Sequence, residues 1–143
     1  MFPSHDHCFH TKGLIVSAVD GLPENTRSEI FPVLRLDLTE THAQTRVDLV
    51  HCQEVVEHVE ERYVENIVKS FQSGKYVFMT HALPNQGGYH HVNEKPKEYW
   101  VNLMTGYGFS LLEEDTNRVK QLAAQDGARY LSESGLVFHN TAR

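Results

Sequence analysis

Three residues with metal-binding side chains follow one another closely in the sequence: Glu54, Glu57 and His58. Their spacing of three and four positions is that of neighbours on one face of a helix. If a helix begins near Glu54, all three side chains point the same way and could converge on one cation. The HxxEH motif of one class of zinc protease requires histidine at position 54, so that class is excluded. Alternatively, the helix dipole favours carboxylates in the first helical turn. This explains both glutamates but not His58.

A polar, glycine-containing loop follows an apolar stretch further along the chain, at residues 84–100, "PNQGGYHHVNEKPKEYW". Loops of this length in a compact domain are usually functional. His90 or His91 could act as a general base, because imidazole titrates near neutrality. Either could equally supply a fourth metal ligand. The alternative is that both are solvated surface side chains.

Two more acidic residues stand where apolar stretches end, in Asp20-Gly21 and Asp37-Leu38. The Asp20 carboxylate could accept hydrogen bonds from both hydroxyls of a ribose, and Gly21 lets the backbone turn close to a ligand. Asp37 and Leu38 suit an adenine, through a hydrogen bond to its exocyclic amine and an apolar face. The alternatives are an ordinary Asp–Gly turn and a solvated aspartate.

The elements that must position these residues are predicted from the apolar pattern, which alternates short strands with helices. Runs that are apolar on both faces indicate a parallel sheet covered by helices. The sequence therefore predicts an α/β fold, a Rossmann-like and mostly parallel sheet with helices on both faces. Predicted strands are residues 14–20, 33–38, 47–53 and 75–83, with weaker candidates at 108–112 and 135–140, and predicted helices are residues 56–71, 96–106 and 114–126.

The composition fits a single globular domain of 143 residues. The longest apolar run, residues 13–19, is too short to span a bilayer, and the polar start lacks the features of a signal peptide, so a cytoplasmic protein is expected. A net charge of −6 argues against an extensive nucleic-acid contact. Cys8 and Cys52 form no CxxC pair, and Cys52 is expected to be a small buried side chain.

Four segments together resemble a known family: "VSAVDG", "RLDL", "DLVHCQEVVEHV" and "YVFMTHALPNQGGYHHVNE" followed by "YW". Their order and spacing are similar to those of class I S-adenosylmethionine-dependent methyltransferases. The segment "CQEVVEHV" resembles the C-x-E-x-x-E-H-V of the ubiquinone O-methyltransferase type. The resemblance implies that Asp20, with Gly21, binds the ribose and that Asp37 and Leu38 flank the adenine. The methionine end of the cofactor then lies by Cys52, Gln53 and Glu54.

The resemblance also bears on the acidic–histidine cluster. Small-RNA 2′-O-methyltransferases bind a divalent ion with an ExxEH pattern and a later histidine. The corresponding ligands here are Glu54, Glu57, His58 and His91, with His90 the next candidate. Such a set would suit Mg²⁺ or Mn²⁺, and the ion would polarise an acceptor hydroxyl before methyl transfer.

One part of the family pattern has no counterpart before Leu14, the first strand with its glycine-rich turn. The resemblance therefore implies an incomplete, N-terminally truncated domain in residues 1–143, with a polar histidine-rich lead-in at residues 1–13. Its central strand edges would lack partners, which promotes self-association.

Three functions follow as hypotheses. The first is methyl transfer from S-adenosylmethionine to an oxygen or nitrogen of a small molecule or sugar, with a catalytic role for His90 or His91. The second is a non-catalytic relative of the same fold that binds a partner or forms a homo-oligomer through the open sheet. The third is a terminal metal-binding module that uses His5, His7, Cys8 and His10.

Overall fold

A computed structural model describes residues 5–27 and 32–143 of the chain. The chain divides into two compact units, Met1–His42 and Ala43–Arg143, and each unit has a sheet of its own. Among the described residues, no helix is both long enough and apolar enough to cross a membrane. The side chains of His5 and His7, two of the four residues of the expected terminal metal module, lie outside the part of the chain that the structure describes.

The first unit contains a two-stranded parallel sheet in which Ala18 pairs with Val33 and Asp20 with Arg35. The strand predicted at residues 14–20 is shorter than expected, because only its last three residues find a partner strand. Ile15 is fully exposed, so strand pairing does not explain the apolar residues at the start of this stretch. The elements of this unit are α1 (His5–Thr11), β1 (Ala18–Asp20), a short 3-10 turn (Asn25–Arg27) and β2 (Val33–Arg35).

The second unit contains a four-stranded sheet with the remaining helices. All four strands predicted for this region are present, each one to three residues shorter than expected. The elements are β3 (Val47–Cys52), two 3-10 turns (Val56–His58 and Glu61–Tyr63), α2 (Val64–Phe71), β4 (Gly74–Met79), α3 (Lys97–Gly106), β5 (Phe109–Leu111), α4 (Glu113–Gln125), α5 (Arg129–Ser134) and β6 (Leu136–Asn140).

The strands of this sheet lie in the order β3-β4-β6-β5. β3 and β4 are parallel, whereas β6 is antiparallel to both of its neighbours. Three of the four strands therefore run in the same direction. The predicted α/β class with a mostly parallel sheet is confirmed, and the arrangement is compatible with a Rossmann-like fold.

The core lies between the central strands and the helices that cover them. β4 and β6 supply buried apolar side chains directly opposite one another, as in the pairs Val77–Phe138 and Met79–Leu136. Within the helix predicted over residues 56–71, Ile67 and Phe71 are buried. Further buried side chains come from α2 and α3, namely Val64, Val68, Trp100 and Met104.

The helix predicted over residues 56–71 is wrong in its first half, and no helix begins near Glu54. The α-helix starts only at Val64. Glu57 and His58 instead lie in a single 3-10 turn, after which Val59 adopts an extended conformation (φ −105, ψ 123). The peptide oxygen of Glu57 accepts hydrogen bonds from the amides of Val92 and Asn93, at 2.9 and 3.1 Å. These bonds take the acceptor that a continuing helix would need for its own i→i+4 bond.

Candidate metal centre

The candidate site lies where the parallel strands β3 and β4 end. In open α/β sheets ligands bind outside the carboxyl ends of the strands. The backbone of Thr80, directly after β4, donates to the oxygen of Cys52, the last residue of β3, at 3.1 Å. The chain that follows β3 and the loop that follows β4 therefore start side by side.

Glu54 is held by the buried side chain of Thr80. The amide of Glu54 donates to Thr80 Oγ1 at 2.9 Å, and the same hydroxyl donates to Glu54 Oε1 at 2.8 Å. Glu54 has a φ of 54°, a left-handed conformation that is uncommon for a residue other than glycine. The side chain of Thr80 thus fixes both the backbone turn and one carboxylate oxygen.

Glu57 is the most unusual acidic residue in the described part of the chain. It is completely buried, and neither carboxylate oxygen accepts a hydrogen bond from another described residue. Burial raises the pKa of Glu57, whereas its own backbone amide lowers it; the charge of Glu54 raises it further, and His58 and His91 lower it. A buried carboxylate without partners is costly, so a positive group beside Glu57 would be favourable.

Two imidazoles are the nearest candidates to share a cation with this carboxylate. One ligand atom from each of Glu57, His58 and His91 can be chosen so that all three lie within 4.8 Å of one another. Nitrogen and oxygen ligands bind Zn²⁺ at about 2.0–2.2 Å, so ligands on opposite sides of an ion are roughly 4.4 Å apart at most. The three residues therefore fit one ion after a small adjustment of their side chains.

His58 is oriented by a hydrogen bond at its other ring nitrogen. Its Nδ1 lies 3.2 Å from the backbone oxygen of His90, which can only accept, so the bond assigns the proton to Nδ1. Nε2 then keeps its lone pair for a metal. His90 contributes this carbonyl while its own side chain is exposed, and its φ of 55° belongs to the tight turn that brings the carbonyl to His58.

His91 is oriented by a carboxylate. Its Nδ1 lies 3.2 Å from Glu94 Oε1, and the same oxygen accepts the amide of Gly87 at 2.7 Å. A carboxylate that holds the second nitrogen of a histidine is the usual outer partner of a metal ligand, because it fixes the ring and increases its basicity. The imidazoles of His91 and His58 meet edge to face, with ring centroids 5.1 Å apart.

The predicted metal ligands are thus brought together in part. Glu57, His58 and His91 form one cluster, but Glu54 does not belong to it and is bound to Thr80 instead. The two partners that organise the site, Thr80 and Glu94, were not predicted as such. Glu94 stood in the loop already singled out, whereas no sequence signal connects Thr80 with Glu54.

The residues predicted to hold the ribose and adenine lie together at the carboxyl ends of β1 and β2. The Asp20 carboxylate accepts the Leu22 amide at 2.8 Å and the Asn25 side-chain amide at 3.0 Å. Asp37 accepts the hydroxyl and amide of Thr39, which lower its pKa. A Cβ added at Gly21 would make ordinary van der Waals contacts, at 3.5 Å from the Leu36 oxygen and 3.6 Å from the Asp37 Cα. Leu38 is half-buried.

Cys52 and Gln53 lie at the end of β3, and both are half-buried. Burial, together with the charge of Glu57, raises the pKa of the Cys52 thiol to about 12. Since the thiolate is the nucleophile and the metal ligand, Cys52 is neutral and inert at physiological pH. Its place in the site is that of an uncharged lining group.

No protein-family model matches the chain, and no curated protein matches it either. The resemblance to methyltransferases therefore rests on the four sequence segments alone.

Proposed function

We propose that this chain takes part in divalent-metal-assisted methyl transfer from S-adenosylmethionine to an oxygen or nitrogen of a small molecule or sugar. The observation that carries the proposal is the completely buried Glu57 carboxylate, which has no partner among the described residues and faces two oriented histidines. The resemblance of the four segments supplies the reaction class. The place of the cluster, after two parallel strands, is where such folds bind their ligands.

A metal ion would suit the site, because the hydrogen bonds of the proposed ligands leave one atom of each side chain for the ion. Glu57 would bind through a carboxylate oxygen, and His58 and His91 through Nε2, since both Nδ1 atoms are engaged. The ion, when bound, would supply Lewis acidity that lowers the pKa of an acceptor hydroxyl. The outer partners of His58 and His91, the His90 carbonyl and Glu94, already orient the two rings, so only a small adjustment of the side chains would be needed to bind the ion.

One carboxylate with two imidazoles is a mixed donor set. Imidazole suits first-row transition ions, whereas Mg²⁺ prefers oxygen ligands and water. We therefore expect Mn²⁺ to bind more tightly than Mg²⁺. Competition between the two ions, followed by the electron paramagnetic resonance of free Mn²⁺, would test this order.

The first unit would contribute its two aspartates, Asp20 and Asp37, to cofactor binding. A carboxylate offers about four lone-pair positions. Asp20 uses two of them in its own turn, so it retains capacity for the hydroxyls of a ribose. Methyl transfer is an in-line displacement, so the contribution of these residues would be positioning.

Two binding experiments test the proposal. Calorimetry with Mn²⁺ is expected to show one site in the wild type and none in Glu57→Gln, which keeps the shape of the side chain but removes its charge. Calorimetry with S-adenosylhomocysteine then tests the cofactor. Absence of binding up to millimolar concentration would exclude this chain as a methyltransferase, whatever the result with Mn²⁺.

A second candidate function is self-association without catalysis, and the open edge of β3 favours it. β3 stands at one end of the sheet and pairs only with β4 in the part of the chain that the structure describes, and Leu49 in β3 is half exposed. Exposed strand edges promote association. An oligomer by light scattering that becomes monomeric in Leu49→Lys would support this candidate, and a monomer that binds the cofactor would count against it.

A further inference from the structure

A second buried polar side chain in the site lacks partners. Asn93 is 2% exposed, and neither Oδ1 nor Nδ2 of its carboxamide has a hydrogen-bond partner among the described residues. Asn140 in β6 provides the contrast. It is 3% exposed, and its carboxamide bonds to the oxygens of Gln72 and Gly74 and to the amide of Ala142. A buried amide is normally satisfied in this way, so the bare carboxamide of Asn93 needs an explanation.

The backbone places Asn93 against the metal cluster. Its amide donates to the peptide oxygen of Glu57 at 3.1 Å, beside the corresponding bond from Val92. Exposure alternates along this segment, because His91 and Asn93 are turned inward whereas Val92 is 45% exposed. Asn93 is therefore a buried residue two positions from the metal ligand His91, and its backbone contacts Glu57 directly.

The Glu57 carboxylate and the Asn93 carboxamide are thus both buried, both unpartnered, and joined through one short backbone contact. They do not hydrogen-bond to each other. A cation would satisfy the Glu57 carboxylate and the Asn93 amide oxygen together, because both are ligands of hard divalent ions. Apolar side chains packed around them would satisfy neither the Glu57 carboxylate nor the Asn93 carboxamide.

We propose that Oδ1 of Asn93 is a fourth ligand of the ion held by Glu57, His58 and His91. This inference rests on the proposed metal site and names a residue that completes it. The full donor set is then two oxygens and two nitrogens. The additional oxygen is neutral, so it favours Mn²⁺ over softer ions without adding negative charge to a site where Glu57 is already costly to bury.

The test compares Asn93→Leu with Asn140→Leu, two changes of the same kind at two buried asparagines. Mn²⁺ affinity is measured by calorimetry and by electron paramagnetic resonance, and the stability of the metal-free protein by urea unfolding. Asn93→Leu is expected to weaken Mn²⁺ binding at least tenfold while leaving the metal-free protein as stable as the wild type or more so, since an unpaired buried group is removed. Asn140→Leu is expected to do the opposite, with lower stability and unchanged Mn²⁺ affinity of the folded protein.

Two additional variants keep the test decisive. Asn93→Asp retains an oxygen ligand and is expected to hold Mn²⁺ within a few-fold of the wild type or more tightly. Asn93→Ala removes the same oxygen without adding volume, and it decides the matter if the leucine variant does not fold. Wild-type affinity in Asn93→Leu or Asn93→Ala would overturn the role of Asn93 alone. A wild-type protein that binds no Mn²⁺ would instead overturn the metal site itself.

Discussion

The imidazole of His91 occupies the place where a side chain on Gly88 would begin. A Cβ added to Gly88 would lie 2.5 Å from Nε2 of His91 and 2.6 Å from Cε1, far inside van der Waals contact. Nε2 is the nitrogen that the bond to Glu94 leaves for a metal. The glycine therefore keeps both the ring position and the approach to that nitrogen open.

We expect Gly88→Ala to abolish or strongly weaken Mn²⁺ binding, by at least tenfold, because the new methyl group must displace the His91 ring or cover its Nε2. Gly87→Ala is the matched control, since the space beside Gly87 is empty, although its φ of 68° makes the substitution strained. Both variants should lose some stability, on the order of 1 kcal/mol, through the backbone. Equal Mn²⁺ affinity in the two, measured by calorimetry, would contradict the role assigned to Gly88.

The stability of the metal-free protein should depend on pH through Glu57. Its pKa is raised in the folded state, so the folded protein binds more protons than the unfolded chain above about pH 4.5, the ordinary value for a glutamate. Stability is therefore highest below that pH and falls as pH rises through the folded pKa. Glu57→Gln removes this loss and should be more stable than the wild type at neutral pH, by about 1–3 kcal/mol.

The measurement is the difference between the free energies of unfolding of Glu57→Gln and wild type, followed from pH 4 to 8 without metal. A difference between the two proteins is used because His81 also makes stability depend on pH. Burial lowers the pKa of His81, so the stability falls as the pH drops below 6.5, the ordinary pKa of a histidine. This contribution is common to both proteins and cancels in the difference. A difference that stays constant with pH would show that Glu57 is not buried as a charge. Mn²⁺ at a hundred times its Kd should stabilise the wild type by about 2.7 kcal/mol and leave Glu57→Gln unchanged, which cancels or reverses the difference between them.

Glu94→Gln should weaken Mn²⁺ binding without removing it. The carboxylate of Glu94 accepts from His91 Nδ1 and from the amide of Gly87, and an amide oxygen can still accept both bonds, though more weakly. Loss of an outer partner of this kind typically costs about 10–100-fold in metal affinity. The control is Glu65→Gln, which breaks an exposed ion pair with Lys69 on α2 and should leave the affinity unchanged.

Glu54→Gln separates the two glutamates that the sequence offered as equal ligands. Because Glu54 is bound to the Thr80 hydroxyl and stands outside the cluster, its variant should change Mn²⁺ affinity only a few-fold, through the loss of a nearby charge. Glu57→Gln should lose binding altogether. If both variants lose binding equally in calorimetry, Glu54 is a ligand after all and its bond to Thr80 is replaced when the ion binds.

The sequence alone predicted the elements whose buried side chains form a clear apolar pattern. The continuous apolar run predicts β3 almost to the residue, and the apolar spacing predicts α3 and α4 within one residue at each end. Helix α5 was not predicted, because "RYLSES" has no apolar periodicity. It is supported by contacts from elsewhere, including the bond from the amide of His81 to Ser134 Oγ at 3.3 Å.

The candidate site was predictable in residue type but not in geometry. Glutamates and histidines at helical spacing pointed to Glu57 and His58, and a polar glycine-containing loop pointed to His91, the three residues that the structure brings together. The departure of Glu54 was not predictable, because its left-handed turn depends on Thr80, which is distant in sequence. The helix that was expected to align the cluster fails for a similar reason, since the amides of Val92 and Asn93 take the peptide oxygen of Glu57.

The position of β6 between β4 and β5 has a consequence for how the protein folds. β3, α2 and β4 are close in sequence and can associate early, but the second edge of β4 pairs with residues 136–139, the last strand of the chain. Pairing between strands that are distant in sequence is slow, and unpaired strand edges are prone to aggregate before that pairing is complete. We expect nascent chains that stop before Leu136 to remain sensitive to protease and prone to association. The four-stranded sheet can close only after residues 136–140 have been synthesised.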